Sequence, residues 1–559
     1  MPTLPLLFGI CAFLLQYASA GPKLGFNNCN IGCCSDTMPS AAFMRQTADI
    51  MVAKGFRDAG YKYVNMDDCW MEKERADRGK GPQVPTVAKF PDGIKNLTDY
   101  VHALGMKFGL YTALAHSTCG GRAGSCGFEE VDAEQYAAWG VDYLKEDGCG
   151  GCTDDLSDYK NMQDALVATG RDIFHSMEGN PNISVVSQRP LDYGGTHRSG
   201  HDIMATWFSM LSEIDIASGL HQFVHRDEGH GEFFNDLDML EVGNPGDFEF
   251  DVDRIKAHFS MWIALKSTLL VSTHLDKLND EIVAILTNAE ALEIHQDPLG
   301  KQARRVLSVT PPDTKMSAPF DAQLALRRCD AKNPLQKWKL DADGKLWTSE
   351  NKEKSTRWCI GPSSIPWGRP QNVLPCDVPE YQFNASLDCN PPNVCNQVAL
   401  WKVNQVNLRT VAITSTSGGG HLGFDNNPYA SGPLPHTRYA MSGSNEFFFD
   451  LGDKPAPIIA GPGSVYNNDH VGRVTQQNAS EWCIEAIRGG NLEVWTAELQ
   501  HGRHVVAMLN RSPSAAAITV TWSVLGVDDN LRLSVRDIWA ASNKGVFQTA
   551  YGDEVPAHG

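Results

Sequence analysis

Basic residues are in short supply in this 559-residue chain: Lys and Arg number 48 against 67 Asp and Glu, for a formal net charge of -19 at pH 7. Such a surface repels phosphate backbones, which argues against nucleic acid as a partner. Long apolar runs are missing too. The run from Leu4 to Leu15 is too short to span a bilayer, and no later segment reaches the ~20 apolar residues a membrane helix needs, so no membrane anchor is expected. There is no H-E-x-x-H, no P-loop and no Gly-x-Ser-x-Gly elbow, and no G-x-G-x-x-G follows the first strand. These absences set aside the common metalloprotease, nucleotide, serine-hydrolase and dinucleotide chemistries. The Cys149-Gly-Gly-Cys152 run lacks a thioredoxin-like pattern and a second Cys/His pair, so it reads as disulfide chemistry. No metal and no cofactor are expected.

What is present is a chain that is 42% hydrophobic and long enough for two or three domains. Residues 1–20 end in Ala18, Ser19 and Ala20, the small-residue pattern of a signal-peptide cleavage site, so the mature chain is expected to begin at Gly21. Without Cys11, fourteen of the 15 cysteines remain, an even number. Acceptor sequences for N-linked glycan occur at Asn96, Asn182, Asn384, Asn478 and Asn510. Together these indicate the secretory route, to the outside or to a lysosome or vacuole, with disulfides formed on the way.

From Gly21 to about residue 305, short apolar runs alternate with helix-like stretches: Leu24 to Phe26, Tyr63 to Met66, Phe108 to Tyr111, Val141 to Leu144, Ile173 to Ser176, Asp238 to Val242 and Leu269 to Ser272. Repeated strand-then-helix units over this length predict a closed (β/α)8 TIM barrel rather than an open doubly wound sheet. Polar residues gather just after the runs, Asp67 and Asp68, Tyr111 at the end of the third, Lys145 and Asp147, and Glu178, with Asp236 and Asp238 around the sixth. In a barrel these positions open on one face, at the carboxyl ends of the strands, where active sites of this fold sit. Helix capping would account for one carboxylate per loop, but not for Asp67 with Asp68 or for Lys145 beside Asp147.

After Leu307 the helical period stops and the chain reads as all-β, an α/β protein followed by an antiparallel sandwich. The sandwich is expected over 491–559, with its first strand drawn from about 301–310. Between them, 312–490 carries Cys329, Gln336, Lys337, Trp338, Cys359, Cys376, Asn396, Gln397 and Trp401, spaced as in a three-fold repeat. This inserted segment is similar to a ricin-type β-trefoil, a module that binds carbohydrate. Gln336, Trp338 and Trp401 are read either as trefoil core or as remnants of sugar sites.

Seven segments, Tyr63 to Trp70, Lys107 to Tyr111, Gly140 to Cys149, Arg198 to Asp202, Asn235 to Met239, His295 to Gly300 and Leu509 to Pro513, resemble glycoside hydrolase family 27 in the family's order. That family contains α-galactosidases and α-N-acetylgalactosaminidases. The resemblance implies that Asp147 is a nucleophile and Asp202 a general acid/base in a retaining, two-carboxylate hydrolysis. It implies that Asp67 and Asp68 bind sugar hydroxyls, with Tyr111, Lys145, Arg198 and Asp238 completing the pocket. Lys145 is expected to keep Asp147 ionised, and a less compensated Asp202 to hold a proton. Cys34 with Cys69 and Cys119 with Cys149 match the family's disulfides, and Cys126 with Cys152 is a further candidate bridge. Trp70 and Met239 read as core.

Substrate choice turns on Glu178, where the family's α-galactosidases carry Glu and its N-acetylgalactosaminidases carry Ser, so Glu178 favours a free 2-hydroxyl. The implied substrate is terminal α-linked galactose. Related readings are an α-N-acetylgalactosaminidase, a β-L-arabinopyranosidase, or a non-catalytic sugar-binding protein, and a homodimer is compatible with any of them. Three departures stand out. Cys29 and Phe26 replace two aromatics of the family's first-strand motif, and the segment 177–187 diverges. Glu146 stands where the family has Tyr or Phe, facing the layer between barrel and helices, where a buried partner or a third acidic group near the site is expected.

Overall fold

The computed structural model describes residues 21–309, apart from 36, 151, 153–154, 180–182, 201, 219 and 228–230. It also describes 492–559 except 513, and in 310–491 separate strands and short segments. The signal-peptide reading for 1–20 and the acceptors Asn182, Asn384 and Asn478 lie outside these residues.

Eight parallel strands make the first domain's sheet: β1 Leu24–Asn27, β2 Tyr63–Asn65, β3 Lys107–Ala113, β4 Tyr143–Asp147, β5 Phe174–Met177, β6 Thr196–Arg198, β8 Gly231–Asp236 and β9 Leu269–Val271. A ninth, β7 His225–Asp227, is antiparallel to β8. β1 pairs with both β2 and β9. The ring closes where Leu240, just past β8, bridges Val271. This is the (β/α)8 barrel expected from the alternation.

Two strand assignments change. β6 lies in a segment whose apolar content is too low to mark it, because Thr196 and Arg198 face polar neighbours. The run 238–242 is not a strand; Asp238 has a left-handed backbone (φ 72°), which breaks the extension after β8. Glycine at 109 has a steric reason, since a Cβ there would lie 2.1 Å from Asn65 Oδ1 inside the barrel.

Helices between the strands are capped by residues that take no part in the strand-end cluster. Ser40, Thr206, Asp251, Asn279 and Asn288 each accept from the backbone N–H three residues on. Phe26, Trp70, Tyr111, Trp262 and Met239 are all buried, and Trp70 donates to the Tyr111 carbonyl at 2.8 Å.

Strand Arg304–Val309 pairs with Leu492–Leu499, which pairs with Arg503–Asn510. With the hairpins Ala516–Thr521/Ala550–Val555 and Arg532–Asp537/Ser542–Gln548, these form the C-terminal antiparallel sandwich. Its two-residue period is visible in the packing: Val494 joins Ile518, Val520 and Trp522, while Trp495, Ala497 and Leu509 enter the barrel's core cluster. At the junction Arg511 is bidentate to Asp215 (2.9 and 2.7 Å) and reaches Glu493 at 2.9 Å, and Arg305 bonds the same two carboxylates at 3.1 and 2.8 Å.

Asn510 is fully buried and its amide donates to the carbonyls of Ser514, Val555 and Pro556. It therefore cannot carry the glycan its sequence invites, whereas Asn96 is exposed.

Within 310–491 the described pairings are antiparallel, as expected for an all-β region; Ala322–Arg328 pairs with Trp482–Arg488 and Lys337–Leu340 with Leu346–Ser349. Gln336 and Trp338 are buried, and Gln336 accepts from the Asp330 N–H at 2.7 Å. The side chains of Cys329, Cys359, Cys376, Asn396, Gln397 and Trp401 lie outside the described residues.

Removing Arg511 takes two charge-assisted bonds from buried Asp215 and one from buried Glu493, which keep Arg305 and, at Glu493, the Trp495 indole N–H. Arg511→Met is expected to cost about 3 kcal/mol and to lower the thermal midpoint, read by calorimetry. An unchanged midpoint would show that the junction does not hold the domains.

Candidate active site

The carboxyl ends of β1 to β6 and the loop after β8 bring one continuous ion-pair chain together. Asn27, ending β1, donates to Asp67 Oδ2 at 2.9 Å. Lys145, near the end of β4, donates to the same oxygen at 2.8 Å and lies 3.3 Å from Glu178 Oε2. Glu178 follows β5 directly, its N–H bonded to the Glu146 carbonyl at 2.9 Å. Arg198, ending β6, meets Glu178 at 3.4 Å, Asp238 at 2.9 Å and Asp202 at 2.6 Å. Six side chains named from the sequence, Asp67, Lys145, Glu178, Arg198, Asp202 and Asp238, therefore stand in one network.

Tyr111 adds a second branch. Its hydroxyl donates to Asp147 Oδ2 at 2.7 Å, and the Gly148 N–H donates to Oδ1 at 2.6 Å. The Lys145 ammonium lies 5.4 Å from the Tyr111 ring centre. Asp68 is turned differently. Both its oxygens accept backbone N–H groups, Cys69 at 2.5 Å and Gly120 at 2.7 Å, so it shapes the loop that the Cys34–Cys69 disulfide braces.

The electrostatics follow from burial. The side chains of Asp67, Glu178 and Asp238 are buried carboxyl groups facing two buried cations. Burial raises Asp67, but Lys145, the Asp68 N–H and Asn27 outweigh it and hold its pKa below the usual carboxylate value. Burial wins at Glu178, pushing it up to about 8 against the pull of Lys145 and Arg198. Asp238 is raised for the same reason, despite Arg198.

One expectation is corrected. Asp202 is not a weakly compensated carboxyl, because the four-residue spacing turns it back onto Arg198, yet its side chain is 98% exposed. Lys145 bonds Asp67, lies near Glu178 and interacts electrostatically with Asp147, whose hydrogen-bonding side chain is Tyr111.

The buried partner expected for Glu146 is His175, whose Nε2 lies 3.0 Å from Glu146 Oε2 with both groups buried. Disulfides join Cys34–Cys69, Cys119–Cys149 and Cys126–Cys152. Sequence reasoning missed Asn27 and His175, and named Asp236 by its place beside the sixth run without giving it a role. Asp236 Oδ1 accepts from Thr268 Oγ1 and from the Asp238 N–H, both at 2.8 Å, and so supports the left-handed turn. The adjacency of Asn235-Asp-Leu-Asp238 was the available signal.

Comparison with known proteins places this arrangement. The sequence model described as α-galactosidase A matches residues 24–297, and that of the α-galactosidase C-terminal β-sandwich domain matches 489–559. An α-galactosidase from Cyamopsis tetragonoloba is 39% identical over 294 residues, 51% of this chain and 67% of that protein. The α-galactosidase A of Cellvibrio japonicus is 38% identical over 301 residues, 51% of this chain and 69% of that protein. The chain belongs to the α-galactosidase family.

It is accordingly a glycosidase of glycoside hydrolase family 27. The solved α-galactosidase I of Mortierella vinacea shares the fold at TM-score 0.58 and 21% identity, covering 97% of this chain and 96% of that one. An α-galactosidase from Saccharomyces cerevisiae does so at 0.59 and 19%, with 97% and 96% covered.

Between the ordinary glutamate value of 4.5 and about 8, native Glu178 holds a proton that the unfolded chain has released. Raising the pH across that window therefore withdraws stability. Thermal melts should show wild type losing ground to Glu178→Gln as pH rises from 4.5 to 8. Parallel profiles would place the Glu178 pKa near its unfolded value.

Proposed function

We propose that this family member is a retaining exo-glycosidase that releases terminal α-linked D-galactose from oligosaccharides, glycoconjugates or plant polymer side chains. The observation that carries the reading is the placement of Glu178 against both Lys145 and Arg198. A carboxyl group held there occupies the space a 2-acetamido group would need and offers its carbonyl oxygen to a free 2-hydroxyl. Asp67 and Lys145 are hydrogen-bonding groups fixed before substrate arrives, and a wrong epimer would leave one of them buried and unpaired, a larger loss than a missing apolar contact.

In the proposed double displacement, Asp147 attacks the anomeric carbon while Asp202 protonates the leaving glycosidic oxygen. A covalent galactosyl-enzyme forms; Asp202, now a base, takes a proton from water, and the hydroxide equivalent displaces Asp147 with a second inversion. Tyr111, donating to Asp147, fixes the direction of attack. Asp202, exposed to solvent and paired with Arg198, supplies the acid. No cofactor or metal enters these steps. The protein is assigned to the secretory pathway, with residues 1–20 as its leader, 21–305 as the catalytic domain and 312–490 as an inserted β-rich region.

Proton NMR of p-nitrophenyl α-D-galactopyranoside hydrolysis at mildly acidic pH is expected to show α-galactose before mutarotation. Early β-galactose would exclude retention, and no hydrolysis would move the assignment to 2-acetamido or arabinopyranoside substrates. Asp202→Asn should lower kcat/KM by about 10²–10⁴-fold. Asp147→Asn should abolish turnover with sugar binding retained, read by calorimetric titration. Loss of binding together with turnover would assign Asp147 to sugar recognition instead.

A further inference from the structure

Cys29 and Cys33 are both thiols in the structure, half-buried, at the start of the barrel. The short 3-10 turn Cys29–Ile31 and the left-handed Gly32 (φ 111°) fold the chain back on itself, and the Cys33 N–H bonds the Cys29 carbonyl at 3.2 Å. This brings the two sulfurs to 3.2 Å. A carboxylate oxygen of Asp67 lies within 4.8 Å of both. Asn27 links the turn to the substrate pocket, accepting from the Cys29 N–H at 2.8 Å and donating to Asp67 at 2.9 Å.

Cys29 also occupies the position at which the family motif has an aromatic, so the pocket's edge beside Asp67 has lost an apolar wall. In an oxidising compartment, two thiols in contact across a single turn do not stay reduced.

We propose that Cys29 and Cys33 close into a fourth disulfide among the described residues, and that this bond is the apolar wall of the substrate pocket beside Asp67. The second half rests on the active-site reading above; the first does not. The oxidant is a small-molecule disulfide such as oxidised glutathione. One protein sulfur, as thiolate, attacks it and expels one small thiolate, which takes up the proton. The other protein sulfur then attacks the mixed disulfide, loses its proton and expels the second. Two S–H bonds are lost, one S–S bond forms, and the small disulfide is reduced to two thiols.

The Cys33 contact, burial and the Asp67 charge, in that order, raise the Cys29 thiol, and either order of attack gives the same bond. The remaining approach is on the order of 1 Å, a movement that glycine at 32 permits. The closed ring clamps the turn that carries Asn27 and, through it, the Asp67 carboxylate.

The test uses the full chain purified without reductant. After iodoacetamide treatment and digestion, mass spectrometry is expected to find Cys29 and Cys33 unlabelled, and both labelled once reductant precedes alkylation. Label on both cysteines before reduction, Cys33 joined to Cys69, or stoichiometric zinc held by the two thiols would each overturn the disulfide, whatever the enzyme hydrolyses. Cys29→Ser/Cys33→Ser is then expected to raise KM severalfold for the hydrolysed glycoside with kcat nearly unchanged. An unchanged KM would remove the pocket role and leave a structural bridge. Should that variant fail to fold, KM of the wild type isolated with the pair reduced, its other disulfides verified intact by the same map, reads the same difference.

Discussion

The ammonium of Lys145 is the group on which the barrel mouth depends. It is almost completely buried, and a lone buried cation would be costly enough to lose its charge. It stays charged because the Asp67 carboxylate, after β2, bonds it at 2.8 Å and is tolerable inside the protein for the same reason, while Glu178, after β5 and raised to about 8, ionises beside it only at higher pH. Arg198 repeats the arrangement one strand further, shared by Glu178, Asp202 and Asp238. Five strand ends are thus held at fixed distances by charge rather than by apolar packing. The result is a polar surface at the barrel mouth whose geometry is set by the protein's own pairs.

How far the sequence disclosed this arrangement depends on the kind of signal each residue left. Strand-end placement identifies Asp67, Tyr111, Lys145, Asp147, Glu178 and Asp238, because a polar residue closing an apolar run is visible without knowing the fold. Arg198 and Asp202 were legible through the family motif alone, since β6 is three residues long and its burial is polar. Rotamer-level facts were not legible. Nothing in the spacing says that Asp68 would turn to Gly120 or that Tyr111, rather than Lys145, would bond Asp147.

Glu146 illustrates the stronger form of inference. Strand alternation put its carboxylate in a dry layer, and the cost of leaving it alone there required a partner; His175, on the neighbouring strand, is that partner. The argument fixed the need and left the identity open, because His175 is paired with Leu144 in register rather than with Glu146 itself. Burial also overturned a motif: the acceptor sequence at Asn510 is intact, but its amide is spent on three backbone carbonyls at the sandwich's last turn.

The sandwich is coupled to the active site by a short physical path. Arg511 and Arg305 hold Asp215, which lies near the carboxyl end of helix Trp207–Ala217. The segment entering that helix runs from Asp202 through Ile203, whose N–H is bonded by Asp238 Oδ2 at 2.7 Å, to Trp207, whose N–H is bonded by Asp247 at 2.7 Å. Arg254, on helix Val252–Ala264, holds Asp247 at 2.6 Å and donates to His558 of the sandwich at 2.9 Å. Both ends of the helix that follows Asp202 are therefore anchored through the second domain. The backbone that carries the exposed Asp202 side chain is thereby held in place, which a carboxyl group needs if it is to reach one oxygen atom repeatedly.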